Sequence, residues 1–137
     1  MKVVQKEISI VTRKRFDFIK ITKQIEEVLD SVKIRKGIVT VNVPHTTAGV
    51  ILQEDDETIF KDIINMMGKI LPLKNKYHHS HESNENAVAH VASTVIGTNV
   101  TLPVIDGKLK LGTWQDIFFV ELDKGRNRTV MITIVGE

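Results

Sequence analysis

Residues 114–135, WQDIFFVELDKGRNRTVMITIV, decide the fold. This stretch holds two runs rich in aromatic and β-branched side chains, Trp114–Leu122 and Arg128–Val135, with the polar segment 123–127 between them. Such runs, bounded by residues that favour turns, predict strands. We therefore predict that the C-terminal part of the chain consists of two long strands joined by a turn.

The sequence before this stretch alternates between strand and helix patterns. Further strands are predicted at 3–11, 16–21, 38–43, 48–53, 100–104 and 109–111, the last two joined by a turn at Asp106-Gly107. Helices are predicted from an N-cap at Thr22 towards Gly37, from Asp55-Asp56 to Pro72, and over 86–96 before Gly97. Helices covering one side of a mainly antiparallel sheet are the natural packing for this order, so we predict a single α+β domain over residues 1–137.

Composition excludes several functional classes. The chain has 137 residues, 42% hydrophobic and 26% charged, with 19 basic and 17 acidic residues for a net charge of +2. This charge is too small to predict a nucleic-acid or anionic-membrane partner. The absence of cysteine excludes disulfides, thiolate metal sites and cysteine nucleophiles. The charged start Met1–Glu7 is unlike a signal peptide, so we expect a cytoplasmic protein.

Five histidines are the main candidates for chemistry: His45, His78, His79, His81 and His90. Neutral imidazole is the commonest ligand of transition metals, and a catalytic zinc site needs three protein ligands and an open position. The alternative for His78 and His81 is that they are surface residues of a solvated loop. The alternative for His90, which lies among alanines and valines, is a half-buried residue whose hydrogen bonds are satisfied.

Two other polar segments could bind a phosphate group or a metal ion. Thr46 and Thr47 follow His45 at a predicted break between strands, where hydroxyl donors suit phosphate oxygens, although both are also ordinary strand residues. The acidic segment 53–57 either holds Mg²⁺ or is the solvated start of a helix.

The C-terminal third adds two candidate groups. The segment 112–115, Gly-Thr-Trp-Gln, places the only tryptophan between a hydroxyl and an amide, so Trp114 either stacks on a flat heterocycle or belongs to the core. Arg126 and Arg128 lie two residues apart, and their guanidinium groups either bind phosphate or belong to a solvated turn.

These segments together resemble the YjbQ-like family, described as secondary thiamine-phosphate synthases. The resemblance covers essentially the whole chain and is carried by three groups of residues. They are Pro44-His45-Thr46-Thr47-Ala48 with Glu54, Asp56 and Asp62; Tyr77 and His79 with Asn86, Ala89 and His90; and Leu102-Pro103-Val104 with Gly107, Leu109, Gly112-Thr113-Trp114-Gln115, Glu121 and Arg128.

The resemblance implies an α+β domain with a mainly antiparallel β-sandwich and two to three helices, assembled as a homotrimer. It also implies weak thiamine-phosphate synthase activity, which joins hydroxymethylpyrimidine diphosphate to thiazole phosphate. On this hypothesis a divalent metal, Zn²⁺ at the histidines with Mg²⁺ arriving with substrate, is bound by His45, His79 and His90, and His78 and His81 are incidental.

The remaining roles follow from the same hypothesis. His79, His90 and Glu54 are the predicted catalytic residues, and the predicted substrate-binding residues are Thr46, Thr47, Thr113, Trp114, Gln115 and Arg128. The expected partner is a small phosphorylated metabolite, with no nucleic acid and no membrane. Two alternatives stay open, a non-catalytic trimeric module that binds a metal or phosphometabolite, and a metal-assisted hydrolase.

Overall fold

The computed structural model describes residues 1–137 throughout. The strands are β1 (Lys2–Val11), β2 (Asp17–Lys20), β3 (Lys36–Asn42), β4 (Ala48–Gln53), β5 (Asn99–Ile105), β6 (Lys108–Leu109), β7 (Asp116–Glu121) and β8 (Asn127–Gly136). The helices are α1 (Thr22–Val32), α2 (Glu57–Ile70) and α3 (Asn84–Ile96). None of these helices is both long enough and apolar enough to cross a membrane.

The eight strands form two antiparallel sheets. One has five strands in the order β1-β8-β3-β5-β6, and the other has three in the order β2-β7-β4. The main core lies between them and includes Val39 and Ile132 of the larger sheet, Phe119 of the smaller sheet, and Ile25 of α1. The predicted α+β fold with a mainly antiparallel sandwich is therefore confirmed.

The central strand β7 is buried on both of its faces. Phe119 points into the core between the sheets, whereas Val120 packs on the opposite face against Met67 of α2 and Ala92 of α3. Successive side chains of a strand point to opposite faces, so a strand covered on both sides is apolar at every position. This explains the unbroken apolar run 117–120 and places α2 and α3 on the outer face of the smaller sheet.

The segment between β7 and β8 passes from one sheet to the other. β7 pairs with β2 and β4, whereas β8 pairs with β1 and β3. The two predicted strands are thus real, but they are not hydrogen-bonded neighbours. Their connection brings the end of β7 and the start of β8 together between the sheets, where the polar groups described below lie.

The predicted N-cap of α1 is wrong. Thr22 is the first residue of the helix, and Ile21 occupies the N-cap position. The Thr22 Oγ1 donates to Asp116 Oδ1 at 2.8 Å and accepts from the Ile117 amide at 2.8 Å, so it makes no capping hydrogen bond. The helix ends at Val32, where Lys33 takes the left-handed conformation with φ 53°, and Gly37 lies beyond this end, within β3. The role of Thr22 depends on contacts with β7, remote in sequence, and could not be predicted from local pattern.

The other helix and turn boundaries follow the sequence patterns closely. Asp56 caps α2 through a hydrogen bond from the Thr58 amide to its Oδ1 at 2.8 Å, and Gly97 follows α3. Asp106 and Gly107 both have positive φ, 52° and 79°, as the two-residue turn between β5 and β6 requires.

Gly37 and Gly68 give a matched test of this packing. A Cβ at Gly37 would lie 2.0 Å from the Val135 carbonyl oxygen, whereas a Cβ at Gly68, on α2, meets nothing within 4 Å. We expect Gly37→Ala to lower the free energy of unfolding by about 1–3 kcal/mol, because rigid backbone must move. Gly68→Ala should raise it by roughly 0.5–1 kcal/mol through helix propensity. Urea denaturation measures both, and equal stability of the two variants would contradict the described approach of β3 to β8.

Candidate functional site

The loop between β3 and β4 forms one wall of a polar cavity of about 430 Å³. Pro44 apart, polar side chains line this cavity, which we call the His45 cavity; its residues are Pro44, His45, Thr46, Thr47, Asn86, His90, Arg126 and Arg128. A second cavity of about 450 Å³ shares His45, Thr46 and His90 with it and extends along α3. The fold therefore brings together the predicted residues of the 44–47 loop, His90 and Arg128.

Hydrogen bonds from neighbouring elements hold this loop in place. On one side of the loop the Val43 amide donates to the Thr98 carbonyl at 2.8 Å, and on the other the Leu122 amide donates to the Thr47 carbonyl at 3.2 Å. Ser93 of α3 donates its hydroxyl to the Ala48 carbonyl at 2.7 Å. The loop is thus fixed between α3 and the end of β7.

His45 is held by the backbone of β8. Its Nε2 lies 2.9 Å from the Thr129 amide nitrogen and 3.2 Å from the Thr129 carbonyl oxygen. An amide can only donate, so Nε2 accepts and the proton of the neutral ring is on Nδ1. Burial, followed by the positive charge of Arg128, lowers the pKa of His45. The neutral ring then has an Nδ1–H donor and no free lone pair at Nε2.

A buried ion pair lies behind the cavity wall. Arg128 is 4% exposed and Glu121 is 0% exposed. The Arg128 guanidinium donates from Nε to Glu121 Oε1 at 2.8 Å and from Nη2 to Glu121 Oε2. Nη2 also donates to the hydroxyl of Thr47 at 2.9 Å and to its carbonyl at 3.1 Å. The predicted phosphate-binding pair Thr47 and Arg128 thus already form hydrogen bonds with each other.

The Glu121 carboxylate accepts three more hydrogen bonds. Thr12 donates its hydroxyl to Oε1 at 2.6 Å, and the amides of Leu122 and Asp123 donate to Oε2 at 3.1 and 3.0 Å. Burial alone would raise the pKa of Glu121, but the hydrogen bonds from Arg128 and Thr12 outweigh it and hold the pKa below its usual value. Glu121 is therefore an ionised carboxylate inside the fold.

Asp123 positions two of the residues that line the cavity. Its Oδ2 accepts from Asn86 Nδ2 at 3.1 Å and from Arg126 Nη2 at 2.7 Å. The residue patterns gave Asp123 no role beyond the turn, since an acid in a polar turn is ordinary. The sequence pattern indicates a role for Glu121 more strongly, because a charged residue that interrupts an otherwise apolar strand needs a partner inside the fold.

Three histidines of the 73–90 region lie close together. The ring of His79 contacts two other imidazole rings edge to face. Its centroid lies 4.6 Å from the centroid of the His90 ring and 4.5 Å from that of the His81 ring. His81, expected to be incidental, is thus a neighbour of His79. The structure contains no group of three or more histidine, aspartate or glutamate side chains arranged to hold a metal ion. The metal site at His45, His79 and His90 stays a prediction.

The remaining predicted residues lie at the opposite end of β7. In the pairing of β4 with β7, Ala48 faces Glu121 and Gln53 faces Asp116. Six-residue β7 spans about 17 Å, so Glu54 and the segment 112–115 lie that far from the His45 cavity. Gln115 Oε1 accepts from the Gly112 amide at 2.8 Å, which closes this segment into a turn. The structure does not place Glu54, Thr113, Trp114 and Gln115 beside the histidines of the same chain.

Comparisons with known proteins agree with the fold and with the family resemblance. The family profile described as "UPF0047 protein YjbQ-like" matches residues 6–137. The chain belongs to this family. A UPF0047 protein of Archaeoglobus fulgidus is 40% identical over 92% of the chain and 97% of the relative, and one of Methanothermobacter thermautotrophicus is 36% identical over 100% and 95%.

A solved structure shows the same fold. The crystal structure of a protein from Sulfolobus solfataricus, described as YbjQ-like and of unknown function, is similar to this chain with a TM-score of 0.93 and 33% identity. The likeness covers 99% of each chain. The resemblance predicted from the three groups of motifs is therefore confirmed at the level of family and fold.

The tautomer of His45 can be tested directly. We expect Nδ1 protonated and Nε2 unprotonated at neutral pH, and a pKa below the roughly 6.5 of free histidine. Because folding lowers this pKa, the stability that His45 contributes is complete above about pH 6.5 and is lost as pH falls through the folded pKa. Imidazole ¹⁵N chemical shifts followed over pH measure both properties. A ring protonated at Nε2 would contradict the hydrogen bond from Thr129.

The buried pair predicts a double-mutant effect. Glu121→Gln leaves the Arg128 charge buried without a counter-charge and should cost roughly 3–5 kcal/mol of stability. The double replacement Glu121→Gln with Arg128→Met removes the unpaired charge and keeps an amide oxygen as acceptor for the Thr12 hydroxyl and the neighbouring amides, so it should recover part of this loss. Because the pKa of Glu121 is lowered, its contribution is complete above about pH 4.3 and is lost at lower pH. Urea denaturation between pH 3 and 7 checks both statements. A double variant that is as unstable as the single one would show that the pair is not acting as a unit.

Proposed function

We propose that the protein binds the phosphate group of a small metabolite in the His45 cavity and acts on that metabolite. The observation that carries this proposal is the lining of the cavity, where hydrogen-bond donors from three elements meet and Pro44 is the only residue without a polar side chain. Binding pockets for uncharged organic molecules are mostly apolar. A cavity lined by hydroxyl, imidazole and guanidinium groups suits the oxygens of an anion.

The arrangement of charges supports a phosphate ligand. Glu121 and Asp123, which neutralise Arg128 and Arg126, are not among the lining residues and lie behind them. The cavity surface therefore presents hydrogen-bond donors, while the carboxylates of Glu121 and Asp123 lie behind the arginines and do not face the cavity. The Nδ1–H of neutral His45 and the exposed hydroxyl of Thr46 add two donors that no other residue uses in the structure.

His90 is the candidate for proton transfer. Its ring is half-buried, lines both cavities and contacts the ring of His79. One nitrogen of a neutral imidazole donates and the other accepts, so the ring can give a proton to, or take one from, a leaving or attacking oxygen. For the reaction that the family resemblance implies, loss of pyrophosphate on joining two phosphorylated heterocycles, the departing charge would be stabilised by the donors of the cavity wall.

In the arrangement described, the Nε2 lone pair of His45 is not available to a metal ion. The Nε2 lone pair of His45 accepts from the Thr129 amide, and the rings of His79 and His90 meet edge to face. No reaction step is therefore assigned to a metal. Dependence on Zn²⁺ or Mg²⁺ stays a separate proposal, which elemental analysis of the purified protein tests.

The distant predicted residues can join the site only from another subunit. Trp114 is 71% exposed, and Thr113 and Gln115 are also exposed. We propose that in the expected homotrimer the segment 112–115 of one subunit approaches the His45 cavity of another and supports the ring of the ligand. Glu54, at the same end of β7, would approach with it. Light scattering measures the assembly, and Trp114 fluorescence on ligand binding reports the contact.

Thr46→Val tests the phosphate site without disturbing the core. The change keeps the shape of an exposed side chain and removes its hydroxyl, so we expect affinity for a small phosphate monoester to fall about tenfold. Thr101→Val, an exposed threonine of β5 outside the cavity, is the control and should bind like the unmodified protein. Calorimetric titration measures both affinities, and indistinguishable affinities would contradict the proposal.

Turnover assays separate the candidate functions. Formation of thiamine phosphate from hydroxymethylpyrimidine diphosphate and thiazole phosphate, lost in His90→Asn, would support a transferase. Release of inorganic phosphate from a panel of monoesters would indicate a hydrolase. Binding without any product would indicate a non-catalytic module that holds a phosphorylated metabolite.

A further inference from the structure

A separate polar cavity of about 430 Å³ lies on the other side of Asp123. None of its lining residues is hydrophobic; they are Arg13, Lys14, Arg15, Glu82, Ser83, Glu85, Asp123, Lys124 and Gly125. We propose that this cavity, here called the Arg15 cavity, binds an oligophosphate group such as pyrophosphate. It shares no lining residue with the His45 cavity, so this proposal does not rest on the proposed function.

The charges around the Arg15 cavity are not balanced. Its four cations, Arg13, Lys14, Arg15 and Lys124, take part in none of the four ion pairs of the structure. Of the three acids, Asp123 is already paired with Arg126. The remaining surplus of positive charge favours a ligand with several negative oxygens, because like-charged groups around a cleft attract the opposite charge.

Arg15 carries an unsatisfied donor. Its Nε is buried and has no hydrogen-bond partner, and it is the only buried side-chain nitrogen or oxygen atom of the chain in that state. Its guanidinium carbon lies 4.8 Å above the centroid of the Phe16 ring, which holds the group in place. Because Nε is closed off from the cavity, a ligand there would contact Arg15 through its terminal guanidinium nitrogens. These nitrogens are accessible and make no hydrogen bond within the chain, so they can donate to a phosphate oxygen.

The backbone adopts an uncommon conformation where it brings the cationic segments together. Phe16 has a positive φ of 55°, an uncommon conformation for a bulky residue, and its amide donates to the Glu121 carbonyl at 2.8 Å. A Cβ at Gly125 would lie 2.6 Å from the carbonyl carbon of Arg13. Only glycine therefore allows this approach of the segment beside Lys124 to the segment 13–15.

The start of α3 does not supply the anion site. Ser83 caps the helix by accepting from the Asn86 amide at 3.0 Å, and Glu85 already places a negative charge in the first turn. Recognition must come from the four long cationic side chains. Two guanidinium groups and two ammonium groups spread around a cavity of about 430 Å³ can contact oxygens on more than one phosphorus, which favours two or more linked phosphates.

Arg15→Gln is the main test, with pyrophosphate as the probe. The change removes the charge and the terminal guanidinium donors of Arg15, so we expect affinity for pyrophosphate to fall at least about tenfold. Lys124→Gln should also weaken binding. Lys110→Gln is the control, since it removes one positive charge at an exposed position outside both cavities and should change affinity by less than about twofold.

Calorimetry and amide chemical shifts of the full chain distinguish the outcomes. Pyrophosphate shifts centred on residues 13–16 and 123–125, lost in Arg15→Gln and kept in Lys110→Gln, would support the proposal. Equal losses in Arg15→Gln and Lys110→Gln would show only general attraction to positive charge and would overturn it. Binding that is lost in Thr46→Val and kept in Arg15→Gln would place the ligand in the His45 cavity instead and would equally overturn it. Absence of any pyrophosphate binding would also overturn the proposal.

Discussion

The hydrogen-bonded ion pair between Glu121 and Arg128 connects the main parts of this structure. Glu121 ends the central strand of the smaller sheet and Arg128 lies near the start of a strand of the larger one. The carboxylate also binds the hydroxyl of Thr12 near the end of β1, and the guanidinium binds Thr47 in the loop of the candidate site. A buried charge is tolerated only when it is paired and fully hydrogen-bonded, so these four segments must meet in one arrangement.

This constraint determines the chemistry of the His45 cavity. Arg128 uses Nε and Nη2 within the fold, so it acts on the cavity mainly by charge and by holding Thr47. Burial, together with the same charge, lowers the pKa of His45 and favours its neutral form. A neutral Nδ1–H donor beside a hydroxyl and a second arginine suits an anion better than a cation. The features that stabilise the junction of the sheets thus also make the cavity a candidate phosphate site.

Local pattern predicted the elements well because each strand and helix has its own periodicity. Helix α2 with Asp56 as its cap, and the turn at Asp106-Gly107, depend on residues close in sequence. The prediction of an N-cap at Thr22 was wrong because the Thr22 hydroxyl binds Asp116 instead. Strand patterns also do not specify which sheet a strand joins. For the candidate site, residue types and the family resemblance predicted His45, Thr46 and His90, which line one cavity in the structure. Asp123 could not be identified, since its role depends on contacts made only in the folded chain.

The division of the predicted residues between the two ends of β7 has a physical explanation. Residues that follow a strand and residues that precede it are separated by the length of that strand, however close their motifs stand in a family pattern. His45 and Thr46 lie near the Glu121 end, and Trp114 lies before Asp116 at the other. A tryptophan that is 71% exposed leaves a large apolar ring in water, which is unfavourable for a chain on its own. Contact between subunits, as proposed above, would remove this cost and bring the two groups together; in that case the complete site would belong to the assembly and not to the single chain.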